Sequence, residues 1–198
     1  VNYGCHPVCF GSWHPGISGD YVSYLKDELE WAGHADTILF TVSGHANVDP
    51  RRCVQTDPAV TREMGAQLAR IVAGALSSLQ PIAGRKVAAV RASWEFETTW
   101  EISGRMTIYF PHAAKGSKVR TAVSVLAAGD LALVGFPGET VSEYRARLET
   151  VSPFPRTLLL SVVNDFVGYL PTDEILRQGA YEANMSPVRP IEAALMAR

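Results

Sequence analysis

The sequence predicts an α/β fold, a mixed β-sheet with helices packed on its faces, and three observations carry that expectation. Short β-branched or aromatic runs alternate with helical periodicities in the order βαβα, then antiparallel strands, then βαβα. Asp57-Pro58 opens a long helix by supplying an acceptor at the N-cap and a proline at the first helical position, where its missing N–H costs nothing. Gly129-Asp130 separates two apolar runs as a two-residue hairpin turn does. With 198 residues, 47% hydrophobic and 19% charged, the chain can bury one sizeable core, so a single α/β domain over 1–198 is expected.

Taken in order, the chain opens in an extended segment that leads to His6, which Pro7 keeps out of a helix. A chain beginning with Val1 inside a strand reads as cut from a longer precursor, so the fold is expected to be completed by a segment upstream of Val1. A Gly/Pro-rich loop, 11–16, precedes Ser18, which is expected to cap a helix from about Asp20 to Ala32. Tyr21, Tyr24, Leu25 and Leu29 fall at helical spacing there, and Gly33 ends the run. Thr37–Val42 reads as a buried strand stopped by Ser43-Gly44, and the turn after it carries His45, Asn47 and Asp49.

After Asp57-Pro58, residues Val60, Met64, Leu68, Ile71, Val72, Ala75, Leu76 and Leu79 form one apolar stripe ended by Pro81. Lys86–Phe110 becomes strand-like and aromatic through Trp94, Phe96, Trp100, Ile102, Ile108 and Tyr109, with a break at Ser103-Gly104 that suggests a hairpin. Thr121–Ala127 and Leu131–Phe136 are the strands on either side of Gly129-Asp130. Thr140-Val141-Ser142-Glu143 matches a capping box, which puts Glu139 at the corner between a strand and a helix of about Val141–Glu149. Leu158–Val163 is a further apolar run, and Thr172-Asp173-Glu174 caps a last helix reaching toward Tyr181.

A net charge of -2, from 18 basic and 20 acidic residues with no run of either sign, lacks the footprint of a nucleic-acid binder. Cys5, Cys9 and Cys53 are odd in number and include no Cys-x-x-Cys pair, so neither a disulfide scaffold nor a thiolate metal site is supported. No apolar stretch of about eighteen residues is present, and the opening lacks the order of a signal peptide. A soluble chain with no transmembrane segment, cytoplasmic in preference to secreted, is expected.

Three segments each present a metal-capable side chain where an apolar run stops and a turn begins: Asn2–Pro7 with His6, Phe136–Thr140 with Glu139, and Asn164–Tyr169 with Tyr169. Chemistry in an open α/β sheet collects at the carboxyl ends of strands, and an imidazole, a carboxylate and a phenol meeting there would make a zinc site. Each residue has a plainer reading by itself. His6 could be a hydrogen-bonded rim residue, Glu139 a first-turn acid worth about 0.3–1 kcal/mol against a helix dipole, and Tyr169 an amphipathic side chain at the rim. His14, His34, His45 and His112 rank below His6.

Taken together, these segments resemble the neutral, non-lysosomal ceramidase family of zinc-dependent amidases over nearly the whole chain. The matching words are Tyr3–Pro7 with Ser18-Gly19-Asp20-Tyr21, Phe40–Pro50, Pro137-Gly138-Glu139-Thr140, and Asn164–Tyr169 with Pro171-Thr172 and Tyr181-Glu182. The resemblance implies a zinc ion held by two histidines, a glutamate and a tyrosine, of which the chain supplies His6, Glu139 and Tyr169. The other histidine is expected from an upstream segment or a separate chain. Tyr181 is similar to a family tyrosine that points at the reacting carbonyl.

The chain departs from the family at one position. Where ceramidases place a serine in a Gly-Asp-Val-Ser-Pro turn, this sequence reads Ala46-Asn47-Val48-Asp49-Pro50. Asp49 either caps its turn or accepts a proton as general base. Arg51 and Arg52 follow it, where one could bind a substrate carbonyl or acid, whereas Asn47 and Asn164 are expected to hold loop geometry. The resulting expectation is a zinc-dependent amidohydrolase in which a metal-activated water attacks an N-acyl bond, with Asp49 and Tyr181 as catalytic residues and a substrate smaller or more polar than a long-chain ceramide. An esterase or lactonase on the same centre, and a non-catalytic ligand-binding or subunit homologue, are the alternatives.

Overall fold

The computed structural model describes residues 1–98 and 116–187. These residues form two compact units, one of Val1–Thr41 and Val48–Pro81, the other of Val42–Asn47 and the chain from Ile82 onward. The architecture is α/β, with mixed sheet pairing and helices packed against it. Among the described residues no helix is long and apolar enough to cross a membrane.

The first unit is built on two helices. A short strand β1 (Asn2–Tyr3) lies beside the start of β2 (Thr41–Val42), where Thr41 donates its N–H to Val1 O at 2.9 Å. Helix α1 (Asp20–Trp31) packs on α2 (Pro58–Ala75), and the core between them is Cys9, Tyr21, Leu25, Leu29, Leu68 and Ala69. The Asp57 side chain caps α2 by accepting from Ala59 N at 2.9 Å, with Pro58 at N1, as the sequence predicts. The buried line of α2, however, runs through Val60, Thr61, Gly65, Leu68 and Ala69, whereas Ile71 and Leu79 of the predicted stripe are exposed. Small residues win because the helices cross closely: a Cβ at Gly65 would stand 2.6 Å from Tyr21 O and from Tyr24 Cβ.

Two more expectations change in this unit. Gly19, not Ser18, takes the N-cap position of α1, although Ser18 Oγ accepts the N–H of Asp20 at 3.0 Å. The helix is opened instead by buried Asp20, whose carboxylate accepts the N–H groups of Phe10 at 2.8 Å and Tyr21 at 2.7 Å. Of the run Thr37–Val42 only Thr41–Val42 is strand, and Leu39 is exposed, so this segment is not a buried strand.

The second unit is a four-stranded sheet in the order β3-β4-β5-β7, formed by β3 (Val87–Glu97), β4 (Lys118–Ala128), β5 (Leu131–Gly135) and β7 (Arg156–Leu160). The predicted hairpin is present, with Ala128 facing Leu131 across the turn and Gly129 at φ +58°, the positive angle its first central position requires. The expected break at Ser103-Gly104, with Trp100, Ile102, Ile108, Tyr109 and His112, lies outside the described residues. β5 and β7 pair in parallel through helix α3 (Glu143–Val151), whose Tyr144 is fully buried. Trp94, Val123, Val134, Phe136 and Leu159 form the core of this unit, with Leu148 of α3 against them.

Beyond the main sheet, β6 (Glu139–Thr140) and β8 (Tyr169–Leu170) form a small parallel ladder, followed by α4 (Asp173–Gln178) and α5 (Tyr181–Asn184). Thr172 caps α4 by accepting from Ile175 N at 3.3 Å. The expected helix toward Tyr181 is broken at Gly179, which adopts the left-handed conformation (φ +65°), so Tyr181 begins a new turn. The capping box at Thr140–Glu143 does not form either, because Thr140 is a strand residue with its hydroxyl bonded to Ser161. Asn47 replaces it, accepting Ser142 N–H at 2.9 Å and donating to Glu143 at 3.0 Å.

A candidate metal centre in the second unit

The small ladder sets Glu139 directly opposite Tyr169. Glycine makes that pairing possible, since a Cβ at Gly138 would lie 2.4 Å from Gly168 O. Glu139 N–H donates to that same carbonyl at 2.9 Å, and Val167 N–H donates to Pro137 O at 2.8 Å. The chain between β7 and β8 bends through positive φ at Val162, Asn164 and Gly168. Asp165 anchors this bend by accepting from Thr121 Oγ1 at 2.8 Å and from Phe166 N at 2.9 Å, and Asn164 Nδ2 donates to Ser124 Oγ at 3.2 Å.

A third strand of chain, Val42–Asn47, is bonded along the same ladder. Ser161 N–H reaches Val42 O at 2.8 Å, and Thr140 O accepts the N–H groups of His45 at 2.8 Å and Ala46 at 3.0 Å. Gly44 permits the approach, for a Cβ there would lie 2.8 Å from Val141 O. His45 is thereby buried, with Nδ1 3.0 Å from Ser43 O. A carbonyl only accepts, so Nδ1 carries a proton, and in the neutral imidazole Nε2 is the nitrogen with the lone pair. That Nε2 stands 3.7 Å from Glu139 Oε2.

Tyr169 closes the other side of the carboxylate. Its hydroxyl hydrogen bonds with Glu139 and Tyr181, and burial first, then the Glu139 charge, raises its pKa far above the ordinary phenol value. The Tyr169 phenol is therefore protonated at neutral pH in the metal-free protein. Tyr181 meets the Tyr169 ring edge-on with centroids 5.6 Å apart, and its side chain is largely exposed.

An imidazole lone pair, a carboxylate oxygen and a phenol gathered in this way suit a zinc ion, which takes nitrogen and oxygen donors at about 2.0–2.2 Å. The anchored Nδ1–H adds to the fit, because metal-ligating histidines are held through the nitrogen that does not face the metal. The structure thus brings together three of the residues the sequence singles out, Glu139, Tyr169 and Tyr181. It adds His45, which sequence reasoning ranked low. The available signal for His45 was its position two residues past Ser43, at the mouth of a strand.

His6 and Asp49 belong to the first unit. His6 is half-buried and its N–H donates to Val48 O at 2.9 Å, while Asp49 is exposed just before buried Pro50. Arg51 and Arg52 are exposed beside them. Asn47 and Asn164 do hold loop geometry, through the bonds given above.

No protein-family profile and no curated protein matches the sequence. Among solved structures the chain resembles a ceramidase complexed with C2, at TM-score 0.76 and 13% identity, over 98% of this chain and 43% of that one. It also resembles the neutral ceramidase from Pseudomonas aeruginosa, at TM-score 0.74 and 13% identity, over 98% of this chain and 41% of that one. The chain therefore has the neutral ceramidase fold over less than half the length of those proteins, in agreement with the resemblance read from its short motifs.

Proposed function

We propose that this chain carries the metal centre of a zinc-dependent amidohydrolase that cleaves an N-acyl bond with water. The observation that supports this reading most is the commitment of His45 Nδ1–H to Ser43 O, which leaves Nε2 facing the Glu139 carboxylate at 3.7 Å. In this reading His45, Glu139 and Tyr169 hold the ion. His6 and Asp49 enter on the sequence likeness, His6 as a further imidazole ligand and Asp49 as the general base in place of the family serine. With His6 and His45 both in this chain, the two histidines of the implied set would be present without the one expected from an upstream segment or separate chain, and a position stays open for water.

A zinc ion held there supplies Lewis acidity toward an amide carbonyl and a water molecule. The protein's own groups do the rest. Tyr181, the first residue of α5, offers a phenolic hydroxyl that donates a hydrogen bond to the oxygen developing negative charge. Asp49 takes the proton released by the attacking water and returns it to the departing amine. Tyr169 donates to Glu139 when no cation is present, so the carboxylate is oriented before the ion arrives. The substrate class is a small or polar N-acyl compound, since a carboxylate in place of the serine changes the environment of the bond to be broken.

The test is release of free amine from a series of N-acyl compounds, from acetyl to palmitoyl, by protein loaded with zinc. Hydrolysis that prefers the shorter members, and that is lost with chelator and in Glu139→Gln, is the expected result. Esters cleaved in place of amides would reassign the reaction. Zinc-independent turnover, or none with any member, would overturn it.

A further inference from the structure

Buried hydroxyls with no place in the chemistry above surround the histidine of the site. Thr140, fully buried, hydrogen bonds through Oγ1 to Ser161 Oγ. Ser161 in turn donates to Ser43 O at 2.9 Å, the same carbonyl that accepts His45 Nδ1–H at 3.0 Å. The directions are fixed by proton counting. Ser161 has one hydroxyl hydrogen and spends it on Ser43 O, so Thr140 must donate to Ser161. Ser43 O then accepts from two donors and has no lone pair left for a competing partner.

We infer that Ser161 and Thr140 are positioning residues for the metal centre, forming a buried hydroxyl relay that fixes the Ser43 carbonyl and through it the orientation and tautomer of His45. This rests on the reading of His45 and Glu139 as metal ligands. The backbone closes the relay into a ring. Ser161 N–H holds Val42 O at 2.8 Å, and Thr140 O accepts His45 N–H at 2.8 Å, so two residues grip the histidine segment on both sides of Ser43. Thr140 is also the neighbour of Glu139 in β6. One hydroxyl pair therefore ties the imidazole and the carboxylate into a common frame, and hydrogen bonds in such a chain polarise one another. Removing an outer partner of a metal-ligating histidine costs about 10–100-fold in metal affinity.

The test measures zinc affinity by competition with a chelator, and the visible ligand-field bands of the cobalt(II)-loaded protein, in Ser161→Ala, Ser161→Thr and Thr140→Val. Ser161→Ala is expected to weaken zinc binding by about 10–100-fold and to shift the cobalt bands. Ser161→Thr, which keeps the hydroxyl, should restore both, and Thr140→Val should fall between. Wild-type affinity and bands in Ser161→Ala, beside a wild-type protein that binds one zinc, would overturn the relay. If Ser161→Ala does not fold, Thr140→Val keeps the branched shape of a strand residue, and wild-type values there overturn it instead. A wild-type protein that binds no zinc would sink the metal centre itself, a separate outcome.

Discussion

Gly138→Ala isolates the contact on which the Glu139–Tyr169 pairing depends. The new Cβ would sit 2.4 Å from Gly168 O and 3.1 Å from Leu170 Cγ, where real Cβ atoms keep at least 3.0 Å. Both neighbours belong to the chain through β8, so relief requires β6 and β8 to part by about 0.6 Å or more, in the class of overpacking that costs about 1–3 kcal/mol. The bond from Glu139 N–H to Gly168 O, now 2.9 Å, lengthens with that movement. For a chain of this size about 1 kcal/mol corresponds to roughly 2–4 °C, so the melting temperature should fall by about 2–12 °C. Gly74→Ala is the control, because nothing lies within 4 Å of its Cβ and it sits inside α2. That change should stabilise by about 0.5–1 kcal/mol. Differential scanning fluorimetry and zinc titration of both variants read the outcome. A Gly138→Ala protein melting with wild type and binding zinc as tightly would refute the close approach of the two strands.

Burial raises the thiol of Cys5 to about 11 and that of Cys9 to about 12, from an ordinary 9.0. Iodoacetamide at pH 8 should label Cys53, which is half-buried, and spare Cys5 and Cys9; equal labelling of all three at short times would contradict the burial. Because the folded protein keeps those two protons where the unfolded chain releases them, stability against urea should decline as pH rises above about 9, and a flat profile to pH 11 would contradict it. Asn47→Ala removes the acceptor for Ser142 N–H and should cost about 1 kcal/mol, read by urea denaturation. Serine at position 47 should recover part of that loss, and an unchanged midpoint in Asn47→Ala would show that α3 needs no such cap.

What the sequence made legible was local chemistry. Asp57-Pro58 caps α2 through contacts two residues long, and Gly129 turns the β4–β5 hairpin by its own backbone freedom. Pro137-Gly138-Glu139 and Gly168-Tyr169 stand out because each sets a metal-capable side chain where an apolar run stops and a turn begins, and the small ladder pairs Glu139 with Tyr169. The misreadings share a different cause. Thr140–Glu143 has the right letters for a capping box, but Thr140 is claimed by Ser161, and Asn47 from far away in sequence supplies the cap. Hydrophobicity predicts the α2 stripe, whereas the close helix crossing favours Thr61, Gly65 and Ala69 over a large Ile71. Nothing beside His45 in sequence reveals the carbonyl at 3.0 Å from Nδ1 or the carboxylate at 3.7 Å from Nε2. Those partners are set by tertiary hydrogen bonding, which periodicity does not encode.

Zinc titration of metal-free wild-type protein beside His45→Ala and Glu139→Gln bears most directly on the metal centre. One equivalent should bind wild type tightly, and each substitution should weaken binding by at least about 10-fold with the fold intact by circular dichroism. Stoichiometric zinc held equally well by all three proteins, or by none, would contradict the assignment of His45 and Glu139 as its ligands.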